Sequence, residues 1–234
     1  MKTAELIVRS ATTFYNELAK DPTGRYRSWE HCYKAFHDAR NNHDTDIDHL
    51  SLMLAFYLAS WGMYRGSSFL LQKDYKVHIP VVEEILKPEY DPLFGLRCKD
   101  LKRPEMQEKL FKLSGFMKDK YSGIRESVKE KSVSSDVSST LVTKILMGTF
   151  GCVPAYDRYF IDGIKDQKVS TGTYNISSLL KLVDFYEKNE DFLEAVRRNL
   201  KVYDLLYPQM KLLDMGFWQI GFEKDSEKGL NIAH

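Results

Sequence analysis

The sequence predicts an all-α fold, and three observations predict it. Apolar residues recur at helical rather than alternating spacing, as in Ala4, Ile7, Ala11, Phe14 and Leu18. Capping residues and prolines fall where such segments begin, at Ser28, at Asp46 or Asp48, and at Pro80, Pro104 and Pro208. No alternating run is long enough for a sheet, and only Lys168–Tyr174 (KVSTGTY) suggests a short strand.

The elements follow in order. The first helix ends before Asp21-Pro22, where proline forbids continuation. The second starts at Ser28, turns Trp29, Tyr33 and Phe36 inward, and stops in the polar run Asn41–Asp44. A long central helix, about 48–71, is expected to be the most buried, with Gly62 and Gly66 one turn apart where another backbone packs closely. Its apolar stretch Leu50–Leu71 is long enough to span a bilayer, but Ser51, Ser60, Arg65, Ser67 and Ser68 are spread through it, so a buried soluble helix and no membrane partner are expected. Helices at Pro80–Leu86 and Pro104–Met117 flank a loop, and 132–139 is a polar connector and candidate internal boundary. Ser177 or a neighbour opens a helix through Tyr186, Asp191 one through about Lys201, and Pro208 a last one to Met215. The reading is a single domain over 1–222 with a loose charged tail at 223–234.

Composition narrows function only slightly. With 43% hydrophobic and 13% aromatic residues the chain is globular, and its net charge of +1 gives no overall basic excess for nucleic acid. The most basic stretch is Arg97–Lys131, with eleven Lys/Arg against six Asp/Glu. Three scattered cysteines and an N-terminus without a continuous apolar core fit reduced thiols in a cytoplasmic protein. His31, Cys32, His37, His43 and His49 with their neighbouring aspartates could ligate a metal. The Asp44-x-Asp46-x-Asp48 run departs from a calcium loop at His49 and Ala55, so these aspartates read as helix caps. No metal and no cofactor are expected.

Two stretches could carry chemistry. In Tyr64-Arg65-Gly66-Ser67-Ser68, a lone arginine among small residues needs a carboxylate or an anionic ligand. Around it, Tyr64, Arg65, Ser67 and Ser68 form a candidate ligand site. The second is Thr140–Ile161, about which the chain is expected to be organised, where Lys144 precedes a glycine-bounded turn that a proline and Asp157 lead into a further helix. Glycines bare backbone amides that can meet a phosphate at a helix N-terminus.

The segment LMGTFGCVPAYDRYF resembles the helix-hairpin-helix element of DNA base-excision glycosylases, over about twenty residues with a turn one residue longer than usual. The resemblance implies a helix-hairpin-helix-like element at 140–163. Gly148, Thr149, Gly151 and Arg158 would then hold nucleic-acid backbone, with Asp157 the catalytic acid and Lys144 the candidate nucleophile. DNA or RNA is the implied partner. The residues alone also allow a tight helical hairpin with Lys144 and Asp157 exposed or paired. They allow equally a non-catalytic interaction module, binding a protein or a small anionic ligand near Arg65.

Overall fold

The computed structural model describes residues 2–41, 45–128 and 137–232, the last five by backbone only. It is all-α: α1 (Thr3–Lys20), α2 (Ser28–Asn41), α3 (Ile47–Ser60), α4 (Ile79–Ile85), α5 (Pro104–Glu126), α6 (Ser139–Thr149), α7 (Arg158–Asp166), α8 (Ile176–Lys188), α9 (Glu190–Arg197) and α10 (Gln209–Ile232). A two-residue hairpin, β1 (Lys201–Val202) with β2 (Leu205–Leu206), is antiparallel with Lys201 opposite Leu206. The strand expected at Lys168–Tyr174 is irregular chain.

Helix starts follow local chemistry. Asp46 caps α3 by accepting from the His49 amide at 2.9 Å, Ser138 caps α6, Asp157 caps α7 and Asn175 caps α8. Proline opens α5 at Pro104 and lies at the second position of α4. The connector expected at 132–139 lies outside the described residues up to 136.

The centre of the molecule is α6, not the expected helix at 48–71. Every residue from Leu141 to Tyr156 is buried, whereas α3 leaves Leu52 and Phe56 in solvent. The helix through 71 also breaks at Ser60. Gly62 and Gly66 adopt positive φ of 78° and 59°, which turns the chain back on itself, and Phe69–Gln72 is only a 3-10 turn. Conversely, the last helix does not end at Met215. Its backbone continues to Ile232, and the apolar GFWQIG lies inside it.

α10 crosses α7 and α1 with almost no gap. A Cβ on Gly163 would stand 2.0 Å from the Phe217 carbonyl oxygen, and one on Gly221 would stand 2.0 Å from that of Tyr159. Each helix thus offers a glycine to the other's main chain. The crossing buries Phe160, Ile164 and Phe217 completely.

Beside α3, a buried polar relay fixes the turn that follows it. His78 stands between Tyr64, 2.7 Å from Nε2, and Tyr121, 2.6 Å from Nδ1. Burial pushes the His78 imidazole down to about 3, so it is neutral across the physiological range. Its unfolded counterpart titrates near 6.5, so its contribution to stability is full above that pH and is lost as the pH falls toward 3. Between pH 6.5 and 5 this amounts to about 2 kcal/mol. In urea titrations across that range, His78→Gln should lose this part of the acid-side decline. An unchanged pH slope in the variant would refute a neutral buried imidazole.

Candidate functional site

The turn between α6 and α7 is where the sequence places a phosphate grip, and the structure closes it to phosphate. Gly148 and Thr149 lie in the last turn of α6 and Gly151 just beyond it, all buried. A Cβ on Gly148 would meet the Tyr57 ring at 2.4 Å, and one on Gly151 would meet Pro208 at 2.3 Å. These glycines make room for neighbouring side chains rather than bare backbone to solvent. The turn's polar groups are also spent internally. The Gly151 amide donates to Leu146, the Thr149 hydroxyl to Ile145, the Ala155 amide to Asp214 at 2.9 Å and the Tyr156 amide to the Thr143 hydroxyl at 2.9 Å. Gly148, Thr149 and Gly151 therefore hold the hairpin in the core. Part of the basic charge of Arg97–Lys131 is already paired within the chain. Arg97 and Arg103 pair with Asp100, Lys102 with Asp184 and Glu187, and Lys112 with Glu89 at 2.7 Å.

What the same hairpin does build is one wall of a cleft of about 540 Å³. α6 contributes Thr140 and Lys144; the N-terminus of α7 contributes Asp157, Arg158 and Tyr159. The turn after α3 brings Trp61 and Arg65, the turn between α1 and α2 brings Arg25 and Tyr26, and α10 closes the cleft with Trp218 and Phe222. Three residues singled out from sequence, Lys144, Asp157 and Arg65, thus meet in one cleft, and Arg158 joins them.

At its base Lys144 Nζ donates to Asp157 Oδ2 at 2.8 Å, while Asp157 Oδ1 accepts the Phe160 amide at 3.1 Å. One carboxylate therefore caps α7 and pins the lysine. The lysine side chain is 2% exposed and the aspartate 16%, so the pair is reached only from the cleft. Lys144 Nζ also lies 5.0 Å from the centroid of the Trp61 ring. The Trp61 indole N–H is buried and has no acceptor among the described residues.

Around the rim the charge is positive. The Arg65 side chain folds over Gly62 and is exposed, and no carboxylate among the described residues pairs with it. This corrects two parts of the expectation, burial of Arg65 and a carboxylate partner, because the positive-φ glycines carry it out of any helix into solvent; the anionic ligand stays open. Arg25 donates to the Tyr26 hydroxyl at 2.6 Å and its guanidinium lies 4.6 Å from that ring's centroid. Arg158 pairs with Asp225 at 2.6 Å at the outer edge. Four cations and a single carboxylate, Asp157, line the cleft.

The walls are aromatic. Tyr26 meets Trp61 with ring centroids 4.7 Å apart, Trp61 meets Trp218 at 5.9 Å, and Trp218 stacks on Phe222 at 5.1 Å with planes 9° apart. Arg25, Tyr26, Trp218 and Phe222 were not singled out as site residues, since each is remote in sequence from Lys144. The remaining expected ligand residues lie elsewhere. Tyr64 turns inward to His78, Ser68 caps the next 3-10 turn, and Ser67 is exposed; none lines the cleft.

The histidine-rich connection is used structurally where it is described. Asp46 is a cap, Asp48 accepts from the Tyr75 hydroxyl at 2.9 Å, and His31 Nδ1 bonds the Tyr203 hydroxyl at 3.1 Å. His43 and Asp44 lie outside the described residues. Among those described, no helix is long and apolar enough to cross a membrane. No family model matches this chain, and no curated protein or solved structure matches it at a significant level.

Proposed function

We propose that this is a cytoplasmic nucleic-acid-binding protein that takes one nucleotide into the Lys144–Asp157 cleft. The base lies against Tyr26, Trp61 and Trp218, and the phosphates meet Arg65, Arg25 and Arg158. The observation that carries the reading is the local charge: four lining cations to one carboxylate, among aromatic walls, in a chain whose net charge is +1. Aromatic faces stack on any base, and arginines hold phosphate bidentately. A cleft of about 540 Å³ falls within the range of small-ligand sites.

The glycosylase resemblance adds a chemistry for the same pair. Asp157 is close enough, at 2.8 Å, to take a proton from Lys144, whose amine then attacks the sugar C1′ as the bond to the base breaks. The departing base takes up the proton that Asp157 removed, and the lysine–sugar adduct passes a proton from its nitrogen to the ring oxygen as it opens to an imine that borohydride reduces to a stable cross-link. The near-neutral net charge favours a second occupant of the same cleft, a free anionic small ligand such as a mononucleotide held at Arg65.

Binding of a short single-stranded oligonucleotide across a salt series tests the reading. Arg65→Gln should lower the slope of log K against log salt by about 0.7–0.9, the value of one lost phosphate contact. Its melting temperature should stay unchanged, because no carboxylate among the described residues pairs with Arg65. Lys144→Gln should abolish borohydride cross-linking to an oligonucleotide carrying an abasic sugar. No oligonucleotide binding at about 50 mM salt would remove the nucleic-acid reading. Retained mononucleotide binding would then select the small-ligand reading.

A further inference from the structure

Against the cleft lies a second chamber of about 310 Å³, between the C-terminal end of α1, the turn after it, and α10. It is lined mainly by carbon, from Phe14, Leu18, Tyr26, Trp218 and Phe222. Tyr26, Trp218, Phe222 and Arg25 border both chambers, so the two are neighbours across one aromatic partition. Phe14 packs edge-on against Trp218 at 5.6 Å, so these two rings are in contact and form one continuous aromatic wall of the chamber.

We propose that this chamber is a second base subsite, so that the cleft reads two adjacent unpaired nucleotides of one strand. The inference rests on the nucleic-acid reading above and specifies its substrate class. Three features choose this occupant. The chamber is close to the lower limit for a small-ligand pocket, so it takes a single ring system rather than a folded peptide. Arg25 stands on the shared border, where the phosphate joining two nucleotides would cross from one chamber to the other. Glu17 and Asp21 stand among the lining residues at the end of α1, away from the cleft, and repel phosphate there. The occupant therefore enters base-first from Arg25. Adjacent bases cannot fill separate chambers while paired in a duplex, so the substrate is single-stranded or frayed.

Isothermal titration of the full chain with three probes tests this. The probes are thymidine 5′-monophosphate, the dinucleotide pdTpdT, and its analogue whose second sugar lacks a base. The dinucleotide should bind about 5- to 150-fold tighter than the mononucleotide, the worth of one stacked base, and the abasic analogue should fall back to the mononucleotide level. Gln219→Trp, which fills the second chamber from α10, should erase the dinucleotide's advantage and leave mononucleotide affinity intact. Equal affinity for mononucleotide and dinucleotide, or an advantage that survives loss of the second base, would overturn the subsite while the nucleotide reading of the cleft stands. An octyl phosphate that binds as tightly as the dinucleotide would also overturn it, since any apolar group would then suffice. Absence of binding by all three probes would overturn the cleft reading and this inference together.

Discussion

Gly163→Ala should destabilise the protein by more than about 3 kcal/mol, and Gly163→Leu should prevent folding. The added carbon would stand 2.0 Å from the Phe217 carbonyl oxygen, well inside van der Waals contact, and that oxygen belongs to the backbone of a helix. No rotamer change can relieve it. α7 and α10 would have to separate, which would open the fully buried Phe160, Ile164 and Phe217 to water. Gly221→Ala should behave alike, since its carbon meets the Tyr159 carbonyl oxygen at the same separation. Gly115→Ala and Gly123→Ala on α5 serve as controls. Nothing lies within 4 Å of either added carbon, so both should stabilise by about 0.5–1 kcal/mol through helix propensity. Urea unfolding followed by circular dichroism measures all four, and a Gly163→Ala protein as stable as its parent would sink the account of the crossing.

The second large effect is expected at the core's own ion pair. Lys211 Nζ donates to Asp214 Oδ2 at 2.9 Å, both side chains are at most 4% exposed, and the ammonium lies 4.7 Å from the Trp29 ring centroid and 5.2 Å from that of Trp61. Asp214 also accepts the Ala155 amide, so it ties the proline turn to α10. Asp214→Ala leaves a buried cation and an unsatisfied amide, and should cost about 3–5 kcal/mol. Lys211→Met leaves the opposite charge stranded, at similar cost. The double variant Lys211→Met/Asp214→Ala should recover much of the loss, because no buried charge is then left unpaired and only the Ala155 amide lacks its acceptor. Additive losses in this double-mutant cycle would contradict the assignment.

How much of this was readable beforehand depends on whether local pattern or tertiary context decides. α1 and α2 were read nearly to the residue, because 3.6-residue spacing, a serine start and a polar stop are all local signals. α3 was drawn too long since Leu50–Leu71 is uniformly apolar, and only φ reveals that Gly62 and Gly66 turn the chain. α10 was cut short for the opposite reason. Gly216 and Gly221 look like breakers, yet they are helical contact points against Ile7 and Tyr159. Gly148 and Gly151 were misjudged likewise, since a sequence does not say whether a missing side chain admits a ligand or a Tyr57 ring. At the site, Lys144, Asp157, Arg65 and Arg158 stood out as charges in apolar or glycine-rich settings. The aromatic half of the cleft did not, because Trp218 and Phe222 look like core residues and Trp218 is almost fully buried.

Trp61, against which Lys144 rests, gives the molecule an optical handle. The chain has three tryptophans. Trp61 lies against both Lys144 and Lys211, Trp29 shares Lys211 with it, and Trp218 meets it edge-on at 5.9 Å. The indole emission of the whole protein therefore originates in one cluster behind the cleft wall. An ammonium beside an excited indole shifts its emission, so an anion that draws Lys144 aside would change both wavelength and intensity. An anion seated in the cleft would thus register directly in the native spectrum, with no background from indoles elsewhere in the chain.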